Sequence, residues 1–465
     1  MTRATLTTGG LAVALSLCAA MAGGQKQAPP EGGPAKAFTV PAHETYTLAN
    51  GLKVTLVSYG ILPKVTVAVS LTTGSSDEGR DHHGVASLTG DLLKEGTEKL
   101  NASELADAEA SMGSTLSVNS GYDRTDLELD VLSEFGPRAV QLLADVAMHP
   151  RLPESELERV KRDKVREIAL DVAQPQTVAL MHFRKILYGD HPYGTLLPSE
   201  EDVNKITIAE VKSYVAENFT PKRGHVYVAG KFDTAAVKTV IEETLGGWKA
   251  TGPERATMPP KPNPQRVLEV TDRPGAPQST ITIGLPVATA ESADAIPLQV
   301  TNALLGGSFN SRITSNIREQ KGYTYSPFSA VSDRYHDSYW AESADVTTKF
   351  TGASLKEIVG EVNRLASEPP SAAELKGIQN YLSGLFVLRN SSRAALIGQL
   401  RTVDSLGLGD DYLKSYVAKV NAVTPAVVQK MTGQYLKPSS MTVVVIGDRS
   451  KITGELAPYA SDKPL

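Results

Sequence analysis

A chain of 465 residues, 41% hydrophobic and 21% charged, has the make-up of a soluble globular protein with room for more than one core. A net charge of −5, with no run of five like charges, gives no case for a nucleic-acid binder. The only cysteine, Cys18, leaves the rest of the chain without disulfide or thiol chemistry.

The N-terminus reads as an export signal. Arg3 supplies positive charge, Leu11 to Ala20 is an apolar core too short to span a bilayer, and Ala20-Met-Ala22 offers small residues for cleavage after Ala22. The expected mature protein is exported, periplasmic and free of a transmembrane span. Cys18 admits a second reading, as a lipoprotein anchor, because Leu15-Ser-Leu-Cys18 loosely resembles a lipobox with Leu17 where a small residue is usual. Residues 23–37, rich in Pro and Gly, serve as a disordered tether under either reading.

Tyr46 to Ser58 predicts a hairpin turning at Asn50-Gly51, and Val65 to Thr73 a buried strand. Asn101 to Met112 predicts a helix, with Asn101 as its cap and Glu104 completing a capping box. Leu116 to Leu132 alternates like paired strands. Leu157, Val160, Lys161, Lys164, Val165 and Ile168 share one face of a helix over 154–171. Later come a strand over Ser279 to Leu285, a helix over Ile296 to Leu305, strands between Tyr325 and Thr347, and helices over 352–367 and 371–388.

Part of this pattern occurs twice. Thr207, Pro221 and Gly230 recur as Thr424, Pro438 and Gly447, each 217 residues on. Both copies read as a Thr-capped helix stopped by a proline turn and followed by a buried strand. Residues 251–264 carry five prolines and read as an extended linker between halves at 38–250 and 265–465. Each half is expected to be α+β, a mainly antiparallel sheet covered by helices on one face.

Two stretches carry chemical information. The first is Gly84-Val-Ala-Ser-Leu-Thr-Gly-Asp-Leu-Leu-Lys-Glu-Gly-Thr97. It resembles the zinc-binding helix of the pitrilysin/insulinase family, the inverted-motif zincins, which reads roughly G-x-A-H-x-x-E-H-x-L-x-x-G-T. On that frame Ser87 stands for the first histidine, Gly90 for the glutamate and Asp91 for the second histidine. Two histidines at i and i+4 pinch one metal from a single helix face, and the glutamate takes a proton from zinc-bound water. Ser87 is a poor ligand, Gly90 offers no base, and Asp91 alone cannot hold zinc. Glu167 stands 76 residues beyond Asp91, where the family places its third ligand. The spacing supports the alignment; a carboxylate there can equally pair with Arg162 or Arg166. None of the eight histidines shows the i, i+4 pairing. His82 and His83 are adjacent and point apart, His191 belongs to a Gly/Pro-fixed turn, and His43, His149, His182, His225 and His336 read as structural or surface residues.

The second stretch, Gly306 to Tyr325, is the most family-like passage. Members that resemble it carry an arginine and, seven residues on, a tyrosine facing the zinc site across a central chamber; here these are Arg318 and Tyr325. The arginine fork can bind substrate carbonyls or a carboxylate, and the tyrosine hydroxyl can support an oxyanion. Some bacterial members are two-chain enzymes, one chain with the zinc motif and the other with this pair. The resemblance therefore implies a zinc-lacking subunit, inactive alone, that joins a zinc-bearing homologue to cleave unfolded peptides. The competing expectation is a non-enzymatic scaffold or peptide-holding protein on the same fold.

Overall fold

The hairpin expected at Asn50-Gly51 forms: β1 (His43–Thr47) and β2 (Lys53–Ser58) pair antiparallel, with Gly51 in the left-handed region at φ +92°. The computed structural model describes residues 39–79, 82–249, 252, 255, 260–262, 266–409 and 411–461. The expected signal, the tether and most of the linker lie outside the described residues. Among these residues no helix is long and apolar enough to cross a membrane.

The first half continues with β3 (Lys64–Leu71), α1 (Val85–Leu92), α2 (Ala102–Ala110), β4 (Ser117–Ser120), β5 (Thr125–Leu132), α3 (Gly136–Met148), α4 (Glu154–Val172), α5 (Pro175–Tyr188), α6 (Glu200–Lys205), α7 (Ile208–Asn218), β6 (Gly224–Gly230) and α8 (Thr234–Leu245). The second adds β7 (Leu268–Asp272), β8 (Gln278–Pro286), α9 (Ala295–Leu305), β9 (Phe328–Arg334), β10 (Asp337–Thr347), α10 (Thr351–Ser367), α11 (Ala372–Arg389), α12 (Arg393–Ser405), α13 (Asp411–Ala422), α14 (Pro425–Tyr435), β11 (Thr442–Gly447) and α15 (Arg449–Leu456).

The strands make two sheets, ordered β1-β2-β6-β3-β5-β4 and β7-β11-β8-β10-β9. In each, one neighbouring pair is parallel, β2 with β6 and β7 with β11, and the rest are antiparallel. The duplicated segment supplies an interior strand of each sheet. Both copies, β6 and β11, are buried along their whole length, as short apolar runs rich in Val allow.

The sequence reading gave each sheet helices on one face, and the structure adds a cover for the other. Val67, Val69, Leu127, Leu129, Val226 and Val228 turn one face of the first sheet toward its own helices. Ala68, Tyr227 and Ala229 on the opposite face meet Leu396 and Ile397 of α12, a helix of the second half. The exchange is mutual: Ala179, Phe183 and Leu187 of α5 pack on Tyr339, Val444 and Ile446 of the second sheet. Burying both faces of a sheet in this way makes Thr39–Leu465 one compact unit.

Candidate functional site

Helix α1 is set in place by a carboxylate and by a missing side chain. Glu78 accepts the backbone N–H groups of Gly84 at 3.0 Å and Ala86 at 2.8 Å, satisfying donors that the first turn leaves without helical partners. Burial pushes Glu78 up to about 7, although both backbone bonds act in the opposite sense. At Gly90 the helix runs so close to β4 that a Cβ would lie 2.5 Å from the Ser120 hydroxyl oxygen. The glycine at the position of the missing base thus leaves room for the Ser120 hydroxyl in its present rotamer.

Ser87 and Glu167 line one cavity of about 220 Å³, together with Glu78, His83, Tyr122 and Lys164. The Ser87 hydroxyl donates to the Gly84 carbonyl at 2.9 Å. Lys164, three residues before Glu167 on α4, reaches across to α1. Its ammonium lies 3.1 Å from Asp91 Oδ2 and 2.6 Å from Glu167 Oε2, with the side chain only 13% exposed. Burial pulls this ammonium down, but the bond to Glu167 and the nearby Asp91 charge outweigh it and hold Lys164 above the ordinary lysine range. Asp91 also accepts from Lys94 at 3.2 Å. Among the described residues, no group of three or more His, Cys, Asp or Glu is arranged to hold a metal ion.

In the second half, Thr314–Gln320 is a π-helix, a rare form that occurs often at functional sites. Its C-terminal end is closed by wide-turn bonds from Lys321 N–H to the Asn316 carbonyl (3.1 Å) and from Tyr323 N–H to the Ile317 carbonyl (2.8 Å). Side chains tie the segment down: Arg312 makes a two-pronged bond to Glu374, and Asn316 donates to Glu357 and Glu361. From this base Arg318 lies between two rings, 4.4 Å from the Phe309 centroid and 4.7 Å from that of Tyr325. Its Nε is 3.1 Å from Glu319, while its Nη atoms carry no hydrogen bond among the described residues. Phe309 and Tyr325 are 62% and 79% exposed. Two exposed rings thus flank a guanidinium that is itself only partly exposed.

Arg318 and Tyr325 come together, as do Ser87 and Glu167 on one cavity wall, with Asp91 joined to them through Lys164. The two groups do not share that cavity, whose lining is drawn wholly from residues 75–198. His82 instead pairs with Glu210 at 2.8 Å, and His191 Nδ1 accepts from the Tyr193 N–H at 3.1 Å within its turn. Sequence reasoning missed Glu78, Phe309 and the role of Lys164. The available signal for the last was a lysine on the apolar face of α4.

Comparison with known proteins agrees with this architecture. Residues 54–199 match the family model described as "Insulinase (Peptidase family M16)", and residues 205–382 match "Peptidase M16 inactive domain". The chain belongs to the insulinase peptidase family. An uncharacterized zinc protease of Bacillus subtilis (strain 168), YmxG, is 27% identical over 379 residues, covering 78% of this chain and 90% of the relative. The mitochondrial-processing peptidase subunit beta of Blastocladiella emersonii is 23% identical over 440 residues, covering 89% and 90%. In fold, the chain is similar to the crystal structure of a peptidase M16 inactive domain from Pseudomonas fluorescens. The TM-score is 0.80 at 23% identity, over 87% of this chain and 98% of that one. Zinc, which the family name implies, needs three or four nitrogen, sulfur or oxygen donors around it. Here the Ser87 hydroxyl is engaged by backbone, and the carboxylates of Asp91 and Glu167 both face the Lys164 ammonium. These residues do not fit a zinc ion.

Proposed function

We propose that this chain is the zinc-lacking, non-catalytic subunit of an exported insulinase-like metallopeptidase. It contributes Arg318 and Tyr325 to peptide binding at the zinc site of a homologous partner chain. The observation that carries this reading is the position of the pair. Arg318 is stacked between two exposed rings, its side chain is partly exposed, and the cavity of the first half takes no residue from it. A pre-oriented, partly exposed fork suits an acceptor brought by another molecule. In the assembly Arg318 would hold a substrate carbonyl or carboxylate, and the Tyr325 hydroxyl would donate to the oxyanion formed at the scissile carbonyl. The zinc and the general base would come from the partner. The similarity to a protein named as one subunit of a processing peptidase supports a paired arrangement.

The test is purification of the chain with its native partner, followed by cleavage of a quenched-fluorescence peptide. The lone chain should bring no stoichiometric zinc and cleave nothing; the pair should cleave. Arg318→Ala in the pair should lower kcat/KM roughly ten- to a hundred-fold, the worth of one charge-assisted hydrogen bond of about 1.5–3 kcal/mol. Turnover unchanged in that variant would remove the pair from the site. A native assembly that contains no zinc-bearing chain would favour the scaffold reading instead.

A further inference from the structure

Lys164 on α4 reaches across to Asp91 on α1 and so joins the two helices of the degenerate site. It is held by Asp91 at 3.1 Å and Glu167 at 2.6 Å, the positions at which the family's frame places two of three metal ligands. Its side chain is 13% exposed and it forms part of the wall of the same cavity as Ser87. An ammonium carries one positive charge and donates up to three hydrogen bonds, so it can satisfy two carboxylates from separate helices at one point. We infer that Lys164 has taken over the place of the metal, as a covalently attached cation that bridges α1 to α4 and keeps divalent ions out. Without the lysine, Asp91 would keep only the half-exposed Lys94, and the Asp91 and Glu167 carboxylates would repel one another. The lysine removes that repulsion and retains the cross-link. This inference rests on reading the first half as metal-free.

Zinc binding measured by equilibrium dialysis and elemental analysis tests it in the full chain. Wild type is compared with Ser87→His/Asp91→His and with the same pair plus Lys164→Met. Gly90 is left unchanged, because the ligands under test come from positions 87, 91 and 167, and Ser120 then keeps its present rotamer. The double variant should bind zinc at least tenfold more weakly than the triple variant, which should hold about one ion per chain through two histidines and Glu167. Equal binding by double and triple variants would overturn the role of Lys164 while leaving the metal-free reading intact. Stoichiometric zinc in wild type would defeat that reading itself, and zinc binding by neither variant would overturn the placement of the site. A second measurement needs no new ligand. Amide exchange in α1 should quicken several-fold in Lys164→Met and return toward wild type in Lys164→Arg. Unchanged exchange in Lys164→Met would refute the cross-link.

Discussion

Arg184 and Arg401 hold the same place in the two copies of the fold, 217 residues apart, each on the helix that one half lends to the other. Their surroundings differ. Arg401 crosses to the first sheet and finds acids: Nε donates to Ser70 at 2.8 Å, Nη1 donates to Glu128 at 2.9 Å, and Asp126 stands 3.4 Å away. Arg184 sits on the helix that covers the second sheet, yet the ring it meets, Tyr122, belongs to the β4–β5 turn of its own half. It is 1% exposed, its guanidinium lies 4.2 Å from the Tyr122 centroid with Nη1 donating to the Tyr122 hydroxyl, and Nε and Nη2 have no partner among the described residues. Burial, with Arg334 adding repulsion, pulls Arg184 below the ordinary arginine range. The duplication has kept the shape of the crossing helix, which apolar packing fixes, and has let its electrostatics diverge.

The largest expected effect separates these two arginines. Arg401→Met strips Glu128 and Asp126 of a buried partner, and breaking such a pair costs about 3–5 kcal/mol. Arg184→Met removes a charge that meets no carboxylate and replaces it with a flexible apolar chain. Its stability should stay within about 1 kcal/mol of wild type or rise. Urea unfolding of both variants at one pH makes the comparison. Equal losses would show that the acids over the first sheet are not what distinguishes the seams.

A smaller effect depends on pH and belongs to the first half. Glu78 is held near 7 in the folded protein against an ordinary 4.5. The folded state thus binds this proton more tightly than the unfolded chain does. Stability from this group is complete below about 4.5 and is lost as pH rises toward about 7, by about 3 kcal/mol in all. Glu78→Gln should flatten that segment of the stability curve between pH 5 and pH 8. An unaltered slope in the variant would assign the titration elsewhere. The second half has its own buried carboxylate, Glu342 on β10, opposite Ser329 of β9, which burial also pushes well above the ordinary range.

What the sequence revealed follows the range of the interactions. The turn at Asn50-Gly51, the capping box of Asn101 and Glu104, and the repeat of Thr207, Pro221 and Gly230 are set by neighbours within a few residues, and all three appear in the structure. The alternation of 116–132 likewise resolves into β4 and β5. The helix exchange was illegible, because nothing local in α5 or α12 names the sheet that it will cover. Lys164 was placed on the correct face of α4, but its bridge to Asp91 forms only when α1 arrives from elsewhere in the chain. The π-helix before Tyr325 was equally hidden, since its widened turn depends on anchors such as Glu374 and Glu357 far along the sequence. Arg255, read as part of an extended linker, donates to Ser76 at 2.8 Å and Asp123 at 2.9 Å.

The smallest expected difference lies in the repeat itself, at two threonines that the sequence pairs directly. Thr207 starts α7 and Thr424 starts α14, and each accepts a backbone N–H at 3.3 Å, from Glu210 and Val427 respectively. Only the first copy closes the reciprocal half of the box: the Glu210 carboxylate accepts the Thr207 N–H at 2.6 Å and its hydroxyl at 2.8 Å. In the second copy the corresponding residue is Val427, which offers no acceptor, and Pro425 stiffens the first turn instead. Replacing a threonine cap by alanine costs about 0.5–2 kcal/mol. Thr207→Ala, which also disturbs the bonds to Glu210, should fall in the upper part of that range, and Thr424→Ala in the lower part. Val427→Glu should then raise the stability of the second helix start by a few tenths of a kcal/mol, and Thr424→Ala made in that background should cost more than in wild type. Thermal unfolding of the single and double variants measures the coupling. Equal losses at Thr207 and Thr424, with no coupling between Val427→Glu and Thr424→Ala, would show that the reciprocal bond adds nothing and that the two copies are capped alike.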